Sequence, residues 1–184
     1  NDPEGGFISL LGAEMNHVFA GMEGIGHRNT ILFSDDDVLA GLTLSDLQVV
    51  GNATTCDGIW EAMTALDALF GPLVHIPHHP APDRPMPTDW SCQNDHYSPV
   101  VEVYSAHGNS RDIQANEPYD MSQFELEPGS TVNEALSYQG WGHRLGFVGG
   151  SDLHDTMPGL ICHLDQHQEG HEYGGSLTGL FLDD

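Results

Sequence analysis

Apolar runs, alternations and breaks divide the chain into short elements. Residues 7–14 (FISLLGAE) are mostly apolar and predict a strand that ends at Glu14. Residues 27–33 (HRNTILF) predict a second strand that opens at His27, and MNHVFAGMEGIG between them reads as a glycine-rich connection. The stretch SDDDVLAGLTLSD is a polar excursion whose three aspartates read as a solvated loop. From Thr55 to Phe70, the residues Ile59, Trp60, Met63, Leu66, Leu69 and Phe70 recur at helical spacing. Thr55 or Asp57 can cap the start, and Gly71 with Pro72 stops the helix. LVHI (73–76) predicts a buried strand, and the proline-rich 77–90 segment predicts a loop over a site. PVVEVYS (99–105) and LGFVG (145–149) predict two more strands, and SLTGLFL (176–182) a sixth. Thr131 and Glu134 have the T-x-x-E spacing of a capping box, opening a short helix through Leu136.

Strands separated by helices or long connections predict an α/β domain of largely parallel strands over residues 1–184. In such architectures, ligands bind at the carboxyl ends of the strands. The polar residues that follow the apolar runs thereby become candidates for chemistry.

Charge narrows the possible partners. The 28 acidic residues face four basic ones, all arginine, for a net charge of −24. That balance argues against nucleic-acid backbones and anionic membrane surfaces. Adaptation to salt and charge offset by bound cations both account for it. Salt weighs more, because a few divalent ions neutralise only a small part of −24. Apolar residues at 39% in patterned blocks argue against disorder. No apolar run reaches membrane-spanning length, and the first residues lack the basic and apolar regions of a signal peptide. Cys56, Cys92 and Cys162 are widely spaced and odd in number, which speaks against a disulfide framework and a thiolate zinc site.

Metal-ligand residue types gather at the predicted strand ends: Glu14, His27, His78, His79, His107, Asp152 and His154. A single histidine in such a place is ordinarily a hydrogen-bonded structural residue, and twelve histidines raise the rate of coincidence. The set carries more weight than any member. Imidazole and carboxylate suit zinc, manganese or iron, and a bridging carboxylate lets two cations sit about 3.5–4 Å apart. In D-L-H after a strand, residues two apart point the same way, and Gly149 and Gly150 loosen the approach.

In this order, GAE (12–14), GHRNTILF (26–33), IPHHPA (76–81), VVEVYSAHGNSR (100–111) and LGFVGGSDLHDTMPG (145–159) resemble the PHP (polymerase and histidinol phosphatase) superfamily. The nearest likeness is to its carbaryl-hydrolase-like metallohydrolase branch. The resemblance implies part of a distorted (β/α)7 barrel with two or three divalent metals (zinc, manganese or iron) at the strand ends. It implies Glu14, His27, His79, Asp152 and His154 as metal ligands, Glu14 bridging. Hydrolysis at such a site also needs a proton carried to the leaving group, for which Asp152 or His154 is the expected catalytic residue on chemical grounds rather than by motif. His78, His107 and Glu102 would support the ligands or touch substrate, and Arg28 and Arg111 would pair with an anionic group. The family's H-x-H motif, an early Asp and a further His, expected before GAE, do not occur in the preceding residues. An N-terminally truncated domain is therefore implied.

The function expected is metal-dependent hydrolysis of a small phosphoester, or a related carboxyl ester or carbamate, through a metal-activated water. The alternative is a truncated or degenerate domain that binds metal or a partner without catalysis. A polymerase-associated phosphoesterase fits poorly with a lysine-free chain.

Overall fold

The computed structural model describes residues 10–18, 24–81, 86–105, 108–112, 126–137, 141–150 and 152. The expected strand at 176–182 lies outside them.

Strand β1 (Leu11–Val18) pairs antiparallel with β2 (Gly24–Leu32), and β2 pairs antiparallel with β3 (Leu73–His78). Between β2 and β3 the chain forms helices α1 (Asp36–Leu39), α2 (Leu44–Gly51) and α3 (Cys56–Phe70). A second sheet has the order β5-β4-β6. β4 (Val100–Ser105) is antiparallel to β5 (Gly108–Asn109) and parallel to β6 (Gly146–Gly149). A short 3₁₀ turn at Trp90–Cys92 precedes β4, and α4 (Val132–Leu136) lies between β5 and β6.

This arrangement overturns the expected partial (β/α)7 barrel of largely parallel strands. Among the described residues, β4–β6 is the one parallel pairing, and no barrel closes. The physical reason is visible in the connections. Only residues 19–23 separate β1 from β2, and a parallel crossover needs about a dozen residues or more. The chain from β4 to β6 is long enough and pairs parallel, whereas β2 and β3, also joined by a long helical connection, pair antiparallel, so length permits a crossover without dictating one. β1 also runs past Glu14 to Val18, and β2 starts before His27, so both residues sit inside strands rather than at their ends.

Helix α3 forms where the periodicity places it. The Thr55 side chain accepts from the Gly58 N–H at its start. Gly71, at φ +83°, closes it in a conformation that an L side chain rarely adopts. Its buried face of Ile59, Ala62, Met63, Leu66 and Phe70 packs with Met15, Leu32, Val50 and Leu73 in the main core. A smaller core joins Trp90, Val101, Val132 and Ala135. The capping box opens α4, with the Glu134 carboxylate accepting from the Thr131 N–H at 3.1 Å. The aspartate run, expected as loop, instead starts α1. Asp36 and Asp37 lie in its first turn, where carboxylates favour a helix N-terminus.

Cys56 and Cys92 form a disulfide across 36 residues with Cα atoms 5.5 Å apart, tying the start of α3 to the 3₁₀ turn. Wide sequence spacing is no obstacle once the fold brings the two elements together. Among the described residues, no helix is long and apolar enough to cross a membrane.

Candidate metal centre

Alternation along β1, β2 and β3 gives the first sheet two chemically distinct faces. Met15 and His17 on β1, Arg28 and Thr30 on β2, and Leu73 and His75 on β3 point toward the helices and are buried. Glu14, His27 and His78 take the opposite face. His27 pairs directly with His78, and Glu14, opposite Asn29, is diagonal to His27. Register thus brings one carboxylate and two imidazoles from three strands into reach of one another.

The contacts are short. The His27 ring donates from Nδ1 to Glu14 Oε1 at 2.6 Å. His78 donates from Nδ1 to Glu102 Oε2 at 2.8 Å, and its Nε2 lies 3.3 Å from Asp152 Oδ1. The His79 N–H donates to the other Glu102 oxygen at 3.4 Å. Ring centroids are 4.9 Å apart for His27 and His79, and 4.2 Å for His78 and His79. Two triads result, Glu14–His27–His79 and Glu14–His78–Asp152. Within each, one ligand atom per residue lies within 4.8 Å of the others. Glu14 belongs to both. These groupings can hold a metal ion.

Two further observations fit a cation. His27 Nε2 is buried with no hydrogen-bond partner among the described residues, as expected of a nitrogen kept for another ligand. His79 (φ +34°) and Asp152 (φ +51°) are the two non-glycine residues with positive φ among the described residues, and both belong to the triads. Such backbone costs about 1–3 kcal/mol per residue and tends to cluster at functional sites. Gly150 has a separate reason to be glycine, because a Cβ there would lie 3.3 Å from Glu102 Oε2.

Electrostatics follow from the contacts. The hydrogen bond from His27 holds the Glu14 carboxyl below its ordinary value against the opposing effect of burial, with the charge of His78 assisting. Burial pulls the His78 imidazolium down, but hydrogen bonds to Asp152 and Glu102 and their charges outweigh it and raise His78 to about 10. His78 is therefore a cation at neutral pH, and a metal that takes its nitrogen must displace a proton.

The remaining expected site residues fall elsewhere. Arg28 lies on the helix-facing side, fully buried, away from the triads. Its Nη1 donates to Gln93 Oε1 at 3.2 Å and Ser98 Oγ at 2.9 Å, and its guanidinium carbon sits 5.6 Å from the Trp60 ring centroid. Burial lowers it to about 9, against the field of Asp89. Arg111 is exposed beside Asn109, whose side chain accepts the Arg111 N–H at 2.7 Å. His107 and His154 lie outside the described residues.

One polar cluster had no counterpart in the sequence reading. His17 Nε2 and His75 Nε2 are 2.9 Å apart, His75 Nδ1 is 2.8 Å from Thr30 Oγ1, and the Thr30 hydroxyl donates to Met15 Sδ at 3.4 Å. Between the facing Nε2 atoms one ring donates and the other accepts, and Thr30 Oγ1 completes the chain at His75 Nδ1. Both rings are neutral. The signal that could have revealed them is alternation, since each occupies a core-facing position of its strand.

No protein-family model, curated protein or solved structure matches the chain.

Proposed function

We propose that the chain is a metal-dependent hydrolase acting on a small phosphoester or related ester. The observation that carries this reading is the sharing of Glu14 by two ligand triads on one sheet face. A carboxylate common to two sets of donors suits a pair of cations, and an oxygen and imidazole donor set suits zinc, manganese or iron. The order of the motifs around these residues, which resembles that of PHP-superfamily metallohydrolases, supports the same reading.

In it, Glu14 would serve both positions, His27 and His79 would hold one, and Asp152 with His78 would hold the other. Glu102 orients His78 and the His79 backbone. A bound divalent cation supplies a water activated near neutral pH and stabilises charge on the attacked centre. With its Nε2 given to the cation, His78 would be a neutral ring whose Nδ1–H is held by Glu102, and Asp152 would be placed to pass a proton toward a leaving oxygen. The acidic balance of the chain favours cation uptake.

The test combines metal analysis with turnover. The protein is stripped with chelator, reloaded with zinc, manganese or iron, and assayed by elemental analysis and by hydrolysis of p-nitrophenyl phosphate and p-nitrophenyl acetate. Retention of metal, its loss in Glu14→Gln and His27→Ala, and turnover that follows the metal are expected. Metal retained without turnover of either ester would favour a non-catalytic metal-binding domain. Equal retention in both variants would refute the site itself.

A further inference from the structure

The Cys56–Cys92 disulfide closes a loop that contains β3 with His78 and, directly after it, His79. Its two sulfurs sit differently. Cys56 is the first residue of α3 and partly exposed, whereas Cys92 ends the 3₁₀ turn and is buried. Helix α3 is held by its buried face in the main core, so the crosslink fastens segment 86–93 to a fixed body.

That segment lies against the residues on either side of His27. Before the turn it rests on Gly26, where a Cβ would lie 2.9 Å from Thr88 Oγ1 and 3.3 Å from Met86 O. After the turn, Gln93 Oε1 accepts from Arg28 Nη1 at 3.2 Å, and Gln93 Nε2 donates to Ser98 O at 2.8 Å. The Thr88 N–H also donates to Pro80 O at 2.7 Å, one residue after His79. Segment 86–93 therefore braces the backbone at both imidazoles of the Glu14–His27–His79 triad. Cys92 lies between the two points where the brace meets β2.

While the disulfide is closed, the brace can leave the sheet only by drawing the start of α3 with it. Once the disulfide is open, non-covalent contacts alone hold the brace, and local opening costs less. A ligand's apparent affinity falls with the fraction of molecules whose site is assembled. The state of the two sulfurs thereby reaches the metal ligands without either sulfur touching them.

We propose that Cys56–Cys92 is a redox switch of the metal centre, which holds its cation tightly in the oxidised chain and releases it when a dithiol reduces the bond. The proposal rests on the metal-binding part of the reading above and not on ester hydrolysis. A thiolate of the dithiol attacks Cys56 Sγ, the more accessible sulfur, and the S–S bond breaks with its electron pair on Cys92, which takes a proton. The second thiol of the reductant then attacks its own sulfur in the mixed disulfide. Cys56 leaves as a thiolate in the first turn of α3, where negative charge is favoured, and is protonated in turn. Two electrons and two protons pass to the protein, and the reductant departs as a disulfide.

The experiment uses the full chain with Cys162→Ser, so that the third cysteine cannot exchange. Oxidised protein, and protein reduced with dithiothreitol and freed of it without air, are titrated with manganese, for which thiolates are poor ligands. Free ion is read by electron paramagnetic resonance. Reduction and the double variant Cys56→Ser/Cys92→Ser should each weaken manganese binding by at least about tenfold, with the far-ultraviolet circular dichroism of the oxidised chain retained and reoxidation restoring the affinity. By reciprocity, saturating manganese should lower the midpoint potential of the disulfide by about 30 mV for each tenfold. Gln93→Ala, which cuts the brace from Arg28, should weaken binding in the oxidised chain and shrink the factor that reduction adds. Equal affinity in the two redox states would overturn the switch and leave the centre standing, whereas no binding in either state would remove both. Loss of the circular dichroism on reduction would make the bond a structural staple and overturn the switch, as would an undiminished factor in Gln93→Ala. Binding that follows redox state without turnover of either ester would uphold the switch and remove the hydrolase reading.

Discussion

Acid should destabilise this fold through the two histidines buried beneath the first sheet. His17 and His75 are fully buried, share one proton between facing Nε2 atoms, and lie on the same sheet face as the buried guanidinium of Arg28. Among the described residues, those that touch them are uncharged: Thr30 and Met15 on the sheet, and Trp60 edge-on from α3, with Tyr97 stacked on Trp60. Burial, followed by the charges of Arg28 and His27, lowers His17 from 6.5 to about 4, and burial with Arg28 and His17 lowers His75 well below 6.5. Above pH 6.5 both rings are neutral in the folded and unfolded chains, and stability does not depend on them. As pH falls through that value, the unfolded chain takes up protons that the folded chain refuses. For His17 alone the loss is about 2 kcal/mol at pH 5 and approaches about 3 kcal/mol below pH 4, with His75 adding in the same direction. His78 acts in the opposite sense. Raised to about 10, it stabilises fully below 6.5, and its contribution declines steadily as pH rises from 6.5 through about 10. Glu14, held below 4.5, contributes above that value and fails only in stronger acid. Urea unfolding between pH 8 and pH 5, in chelator and followed by tryptophan fluorescence, isolates the buried pair when wild type is compared with a variant that keeps His78. The double variant His17→Gln/His75→Gln, whose amides take no proton, should start less stable and gain stability toward pH 5 through His78 alone. Relative to that variant, the wild-type chain should lose at least about 2 kcal/mol over the range. Equal pH slopes in the two proteins would refute the reasoning.

Two other outcomes follow from contacts already described. Replacing both Cys56 and Cys92 with serine opens a loop that spans 36 residues, and chain entropy sets the expected loss at roughly 4 kcal/mol, read as a lower urea midpoint. Glu102→Gln removes one of the two carboxylates that bond His78, so an NMR titration of that ring in metal-free protein should place its pKa well below that of the wild type.

Helix α3 was legible because three independent signals coincide: the spacing of Ile59, Met63, Leu66 and Phe70, the cap at Thr55, and the stop at Gly71. The Thr131–Glu134 spacing was legible for a similar reason, since a capping box is local chemistry. Strand pairing was not. Gly21, Gly24 and Gly26 made residues 15–26 look like a long connection, yet β1 continues to Val18 and β2 begins at Gly24, leaving too few residues for a crossover. The direction of a pairing depends on where the chain travels between strands, and no local pattern records that. Residue types at the centre were readable from motifs, but faces were not. Only the register of β2 sends His27 to one side of the sheet and its neighbour Arg28 to the other. The link between Cys56 and Cys92 was hidden likewise, because it depends on α3 meeting the 3₁₀ turn in space.

The back-to-back arrangement of His27 and Arg28 makes the first sheet unforgiving of error. A slip of β2 by one residue would exchange the two sides, setting a guanidinium against Glu14 and driving an imidazole in among the helix-facing apolar residues. Each side would then fail for its own reason, one for want of a donor nitrogen and the other for want of room. A misaligned molecule could not assemble the Glu14–His27–His79 triad, so uptake of a cation there would act as proofreading, retaining chains whose first sheet has zipped correctly and leaving the others to unfold and try again.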